Sequence, residues 1–135
     1  LRKQQITCPY CGAPAIYRPA SMVHGNNTWQ KGTHLYVCSQ WPDCDSYVTA
    51  HKSSHQPMGS LANKNLRHKR IQAHQALEEL RQTRHMETWA VYVWIQMKLK
   101  LTPDKAHIGM FSEDMCDRLI AICQESIQSN SMLAA

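Results

Sequence analysis

Two stretches decide the fold: CPYCG, from Cys8 to Gly12, and CSQWPDC, from Cys38 to Cys44. Each sets two cysteines a few residues apart, so each pair can be presented from one tight turn. A disulfide across the two residues between Cys8 and Cys11 is strained, whereas two short-spaced pairs about 25–30 residues apart suit a tetrahedral ion. Four thiolates leave no open coordination position, so the spacing predicts one structural Zn²⁺ held by Cys8, Cys11, Cys38 and Cys44. Gly12 relieves the backbone where amides turn toward sulfur, and Pro9 stiffens the same turn. A redox-active C-x-x-C needs a βαβ setting, which the flanks of Cys8 lack. Metal-binding rather than disulfide cysteines also predict a reducing, cytoplasmic compartment. Cys116 and Cys123, seven apart, suit small core positions on one helix face.

Around the cysteines, Ala15–Tyr17, His34–Val37 and Tyr47–Thr49 carry β-type residues. Turn signals at His24-Gly25-Asn26-Asn27 and Lys31-Gly32-Thr33 separate the first two runs. The polar, Pro/Gly-punctuated HKSSHQPMG, His51 to Gly59, reads as a loop, and after it the hydrophobic period changes. Ser60 is expected to cap a helix reaching about Arg84, with Ala62, Leu66, Ala73, Leu77 and Leu80 near helical spacing. A second helix is expected over Glu87–Leu101. Its centre, WAVYVWI, is β-rich by propensity, so a strand is the alternative, but length and the Thr102-Pro103 stop favour helix. Pro103 opens a short turn, and Ser112 caps a last helix with Glu113 and Asp114 in its first turn, where the dipole favours acids. Met115, Leu119, Ile122 and Cys123 give that helix an apolar face, and QSNSMLAA, from Gln128, reads as a frayed tail. The expectation is an α+β chain: a zinc ribbon and linker loop over residues 1–58, a region of about three helices over 59–127, and a flexible tail over 128–135.

With 135 residues, 43% of them apolar and 19% charged, the chain has room for one ordinary domain or two very small ones. The longest apolar run, Trp89 to Ile95, is seven residues, too short for a membrane span, and the basic opening LRKQQITC lacks the apolar core of a secretory signal. Charge is uneven along the chain. Residues 1–77 hold nine Lys/Arg against two Asp, whereas residues 102–135 hold two bases against five acids. A basic front with an acidic back points to a polyanionic partner for the front, with simple solubility as the bland alternative.

CPYCG, followed by YVCSQWPDCDSYV (Tyr36 to Val48), resembles the zinc ribbons repeated at the C-terminal end of bacterial type I topoisomerases. Those ribbons carry a C-P-x-C-G half and a C-S-x-(Tyr/Phe)-P-x-C half, and Trp41 stands where their aromatic is usual. The likeness covers residues 6–50 and implies single-stranded DNA binding through stacked rings and basic residues. Further on, HKSSHQPMGSLANKNLRHKRIQAH and HIGMFSEDMCDRLI are similar to a phage- and prophage-associated zinc-finger-containing family, a likeness covering about residues 6–125. It implies a mobile-element origin in a bacterial cell and supplies no reaction. His74 and His107 match the pattern of that wider family.

Within this frame, Trp41 is the leading candidate for an exposed stacking ring, with Trp29 beside Lys31 second. Tyr36 and Tyr47 either stack bases or fill the ribbon's thin core. Arg18, Lys31, Lys52, Lys64, Arg67, Lys69 and Arg70 are the expected phosphate contacts, with a solvated helix face as the alternative. No Asp or Glu occurs across residues 46–77, which favours binding. His51 and His55 make a candidate polar site, with hydrogen bonding or phosphate contact the expected role. Asp43 and Asp45 are the only acids of the first half, too few oxygen ligands for a metal-dependent nuclease, so no catalytic residue is assigned. Trp89–Leu101 is either helical core or a docking surface. The expected function is nucleic-acid binding, DNA favoured and single-stranded or nonspecific. The alternative is an adaptor that redirects a host protein such as a polymerase or a defence enzyme.

Overall fold

The computed structural model describes residues 5–25 and 32–134. The chain divides into two compact units, Leu1–Lys64 and Asn65–Ala135. Three antiparallel strands build the first: β1 (Ala15–Pro19), β2 (His34–Cys38) and β3 (Tyr47–Thr49), in that spatial order. A single helical turn, α1 (Ser21–His24), follows β1. Register pairs Tyr17 with Tyr36 and Ile16 with Val37 on one side of β2, and Tyr36 with Val48 on the other.

Strand alternation sends neighbouring residues of β2 to opposite faces, and each face has its own small core. Tyr36 and Cys38 pack with Cys8, Ala50 and Leu61 on one face, and Leu35 and Val37 pack with Ala20 on the other. After β3 the chain folds back. Met58 N donates to Thr49 O, and Ala62 and Tyr47 exchange both backbone hydrogen bonds. Leu61 and Ala62 therefore complete the ribbon instead of starting the helix. Residues 59–64, grouped with the helices on sequence grounds, lie in the first unit.

The helix α2 spans Lys64–Thr83, so Ser60 lies outside it and is not its cap. Asp45, beside the last cysteine of the ribbon, accepts a hydrogen bond from Lys64 N at 3.1 Å and satisfies one of the open amides of that first turn. The buried residues of α2 are Leu66, Arg70, Ala73, Leu77 and Leu80, a three-four spacing in which an arginine takes one core position. His85, at φ +55°, turns the chain after α2, and Arg81 holds the turn by donating to Met86 O.

Trp89–Ile95 is helical, not a strand: α3 spans Thr88–Leu99 and stops at Lys100, which takes the left-handed conformation. Pro103–Lys105 forms one 3-10 turn and Ile108–Met110 another. Ser112 caps α4 (Glu113–Ala134) through a bond from Met115 N to its hydroxyl at 3.2 Å. The backbone stays helical through the stretch expected to fray. Four α-helices thus occur among the described residues, and none is long and apolar enough to cross a membrane.

Candidate metal centre and ribbon surface

Cys8 and Cys11 sit on the turn before β1, Cys38 ends β2, and Cys44 closes the loop that leads to β3. Their local folds present sulfur inward. Gly12 N bonds back to Cys8 O, and Gly12 has φ +79°, a region glycine enters without strain. In the second loop Trp41 N donates to Cys38 O and Cys44 N to Gln40 O, and the Trp41–Pro42 peptide is cis. All four sulfurs lie within 4.8 Å of one another. The closest pairs are Cys11–Cys38 at 3.4 Å and Cys8–Cys44 at 3.6 Å. A tetrahedral zinc with sulfur at about 2.3 Å sets sulfur–sulfur edges of about 3.8 Å, so the cluster is the right size for one ion.

The surroundings of the sulfurs differ. Burial disfavours the thiolate of Cys8, but the Ser46 hydroxyl, 3.0 Å away, and the amides of Cys11 and Tyr10 outweigh it and bring the thiol down to about 6. Cys38 is buried with the Gln40 amide as its donor, and the neighbouring sulfurs of Cys11, Cys44 and Cys8 add to burial, pushing it up to about 12. Four thiolates therefore need a divalent cation among them, which is what a structural zinc provides. Ser46, fully buried, was not foreseen from sequence. The available signal was a hydroxyl residue two places after a ligand, where a sulfur can be supported from outside the coordination sphere.

Several of the expected contact residues are buried, half-buried or already partnered. Tyr36 is 1% exposed, and its hydroxyl donates to His55 O, so this ring belongs to the core. Arg70 is 8% exposed and gives Nε and an Nη to Phe111 O at 3.2 and 3.0 Å, because it stands on the apolar stripe of α2. Lys69 pairs with Asp117 at 2.6 Å, and that carboxylate raises its pKa. Trp41 is half-buried rather than exposed. It packs on the Leu35–Val37 core, edge-on to Tyr47 with ring centroids 5.9 Å apart, because an indole beside so thin a sheet is needed to cover it. Trp29 and Lys31 lie outside the described residues.

Arg18, Lys52 and Lys64 remain exposed and form no ion pair among the described residues, and Arg67 is half-buried. Sequence distance had separated His51 and His55 from Tyr17 and His34. The fold brings all four, with Lys52, to one pocket of about 300 Å³. Among the described residues, the four cysteines are the one group of three or more His, Cys, Asp or Glu side chains placed to hold a metal ion.

This fold and donor set define a zinc-finger class of protein, with the ion in a structural role. Residues 4–126 match the family described as a zinc-finger-containing domain, and the chain belongs to that family. No curated protein and no solved structure matches it.

Proposed function

We propose that the ribbon binds nucleic acid, with single-stranded DNA the leading ligand, and that the zinc site is the scaffold for that surface. One observation carries this reading: the first unit leaves Arg18, Lys52 and Lys64 exposed and without an ion pair among the described residues, while Asp45, one of its two acids, accepts from Lys64 N. Half-buried rings lie in the same unit. His24 and Trp41 both meet Tyr47 edge to face, at 5.4 and 5.9 Å, and all three are only partly buried, so some ring surface is available to a base. A cytoplasmic, phage-derived, non-enzymatic protein is part of the same reading, supported by the metal-type cysteines, the resemblance of the chain and the few carboxylates of its first half, respectively.

Fluorescence anisotropy of zinc-loaded protein with labelled single- and double-stranded DNA at several salt concentrations tests it. Each phosphate contact on a single strand contributes about 0.7 to the slope of log affinity against log salt. The triple variant Arg18→Ala/Lys52→Ala/Lys64→Ala is expected to lower that slope by about 2 on the same basis. Absence of binding at low salt sinks the reading.

A second reading, a protein-binding adaptor, is favoured by α3. Trp89, Val93 and Met97 repeat at i, i+4 and i+8 and are 70%, 43% and 74% exposed, an apolar stripe at helical spacing. Retention of a host protein on the wild type, lost with Trp89→Ala/Met97→Ala, is the corresponding result, with DNA binding unchanged.

A further inference from the structure

The loop after β3 turns on a single unusual residue. His51 N bonds to Gln56 O and His55 N to His51 O, and His55 takes φ +62°, a region most non-glycine residues avoid. The buried Tyr36 hydroxyl fixes that conformation by donating to His55 O. The His55 ring is then set 5.5 Å from Tyr17, whose own ring lies parallel to His34 at 4.7 Å and 9°. His55 Nδ1 is buried without a hydrogen-bond partner, the one such side-chain atom found among the described residues. Buried polar nitrogens are normally satisfied, so this ring, which also lines the neighbouring pocket, has a hydrogen bond still to make.

The cavity beside it, about 300 Å³, is lined by Tyr17, His34, His51, Lys52 and His55, with Gly32 and Ala50, and by no carboxylate. An ammonium and three imidazoles without an acid suit an anion, and a volume of about 300 Å³ reaches the lower end of the range of small-molecule sites. The stacked Tyr17–His34 pair adds a flat π surface. We infer that this pocket receives the phosphate monoester of a nucleotide, either a strand end or a free mononucleotide, with Lys52 and a histidine on the phosphate and the ring pair beside the base. The inference rests on the nucleic-acid reading of the ribbon and names the group that reading places in this pocket.

The test follows histidine ring resonances of zinc-loaded full-length protein by NMR during titration with adenosine 5′-monophosphate, adenosine or inorganic phosphate. Anisotropy with one oligonucleotide, with and without a 5′-phosphate, runs beside it. Adenosine 5′-monophosphate should shift His34, His51 and His55 together, adenosine should shift none of them, and inorganic phosphate should act more weakly. Lys52→Ala and His55→Asn should each weaken nucleotide binding about tenfold, the loss expected from removing one charge-assisted hydrogen bond. Asparagine tolerates the left-handed backbone, so His55→Asn keeps the loop. Stronger binding of the phosphorylated oligonucleotide assigns the pocket to a strand end. Nucleotide binding without oligonucleotide binding assigns it to a free mononucleotide and removes the broader reading. Oligonucleotide binding indifferent to the end phosphate, with no ring shifts from the nucleotide, overturns the inference and leaves the broader reading in place.

Discussion

In the ribbon the apolar core falls into two small groups, Cys8, Tyr36, Cys38, Ala50 and Leu61 on one face and Ala20, Leu35 and Val37 on the other. The helical unit instead buries a longer series of larger apolar residues, among them Leu66, Leu77, Leu80, Ile95, Ile108, Phe111 and Leu119. A three-stranded sheet with cores of that size is too small to stabilise itself, so the four cysteines serve where apolar area is short. The helical unit, with its larger apolar core, is expected to hold without the metal. Chemistry and stability are thus coupled in one unit and separate in the other.

The largest test of this contrast is zinc removal. A structural zinc supplies on the order of 10 kcal/mol of folding free energy, so a strong chelator should unfold the ribbon outright. The helical signal near 222 nm should largely survive, because α2, α3 and α4 all belong to the second unit apart from Lys64. Thiol labelling gives an independent check. After chelation Cys8, Cys11, Cys38 and Cys44 should react, while Cys116 and Cys123, both fully buried and with Cys123 pushed up to about 12 by burial, should stay protected. Loss of helix together with zinc would mean that the contrast is false.

Next in size is Arg70→Ala. The buried guanidinium donates twice to Phe111 O, and its removal strands that carbonyl, a loss of about 2–3 kcal/mol for a hydrogen bond to a charged group. Urea denaturation of the helical unit should report it, with zinc content unchanged.

Arg70 also marks the limit of what the sequence could convey. The cysteine spacing fixed the ligand set, because coordination chemistry constrains residue type and separation together. Strand positions followed from β-type runs, and α2 and α4 from apolar periodicity. Yet the three-four series from Leu66 to Leu80 passes through position 70, and a charge there reads as surface unless a buried carbonyl 41 residues on is known to meet it. Ala62 misled for a related reason, since its spacing suited a helix while its partner was Tyr47. The pocket of Tyr17, His34, His51, Lys52 and His55 draws on three separated segments, and no local pattern joins them.

A smaller effect should appear at Ser46. Its hydroxyl supports Cys8 Sγ, and loss of an outer-shell partner weakens metal affinity about 10- to 100-fold, so Ser46→Ala should raise zinc release to a competing chelator by that factor. Acid should act in the same direction. The thiol of Cys8 is lowered to about 6, so its thiolate is favoured above that pH and lost as pH falls through it. Bound zinc competes with protons and moves release lower still, so metal should be retained at neutral pH and lost on acidification below about 6. In Ser46→Ala the release should begin at higher pH.

The smallest expected change is the most discriminating between the two units. Lys69 carries the same charge as Lys52, but it reaches Asp117 on α4, whereas Lys52 is exposed at the ribbon pocket without an ion partner among the described residues. The Asp117 carboxylate raises the pKa of Lys69, so the pair's contribution is complete below the ordinary lysine range and is lost as pH rises through the raised value. Water and salt screen so exposed a pair, and Lys69→Ala should therefore leave the urea midpoint of the helical unit within error. It should also leave DNA affinity and its salt slope unchanged, because the ammonium is already neutralised, while Lys52→Ala lowers both. Equal losses of DNA affinity in the two variants would show that the helical unit contacts DNA as well and that the ribbon does not bind alone.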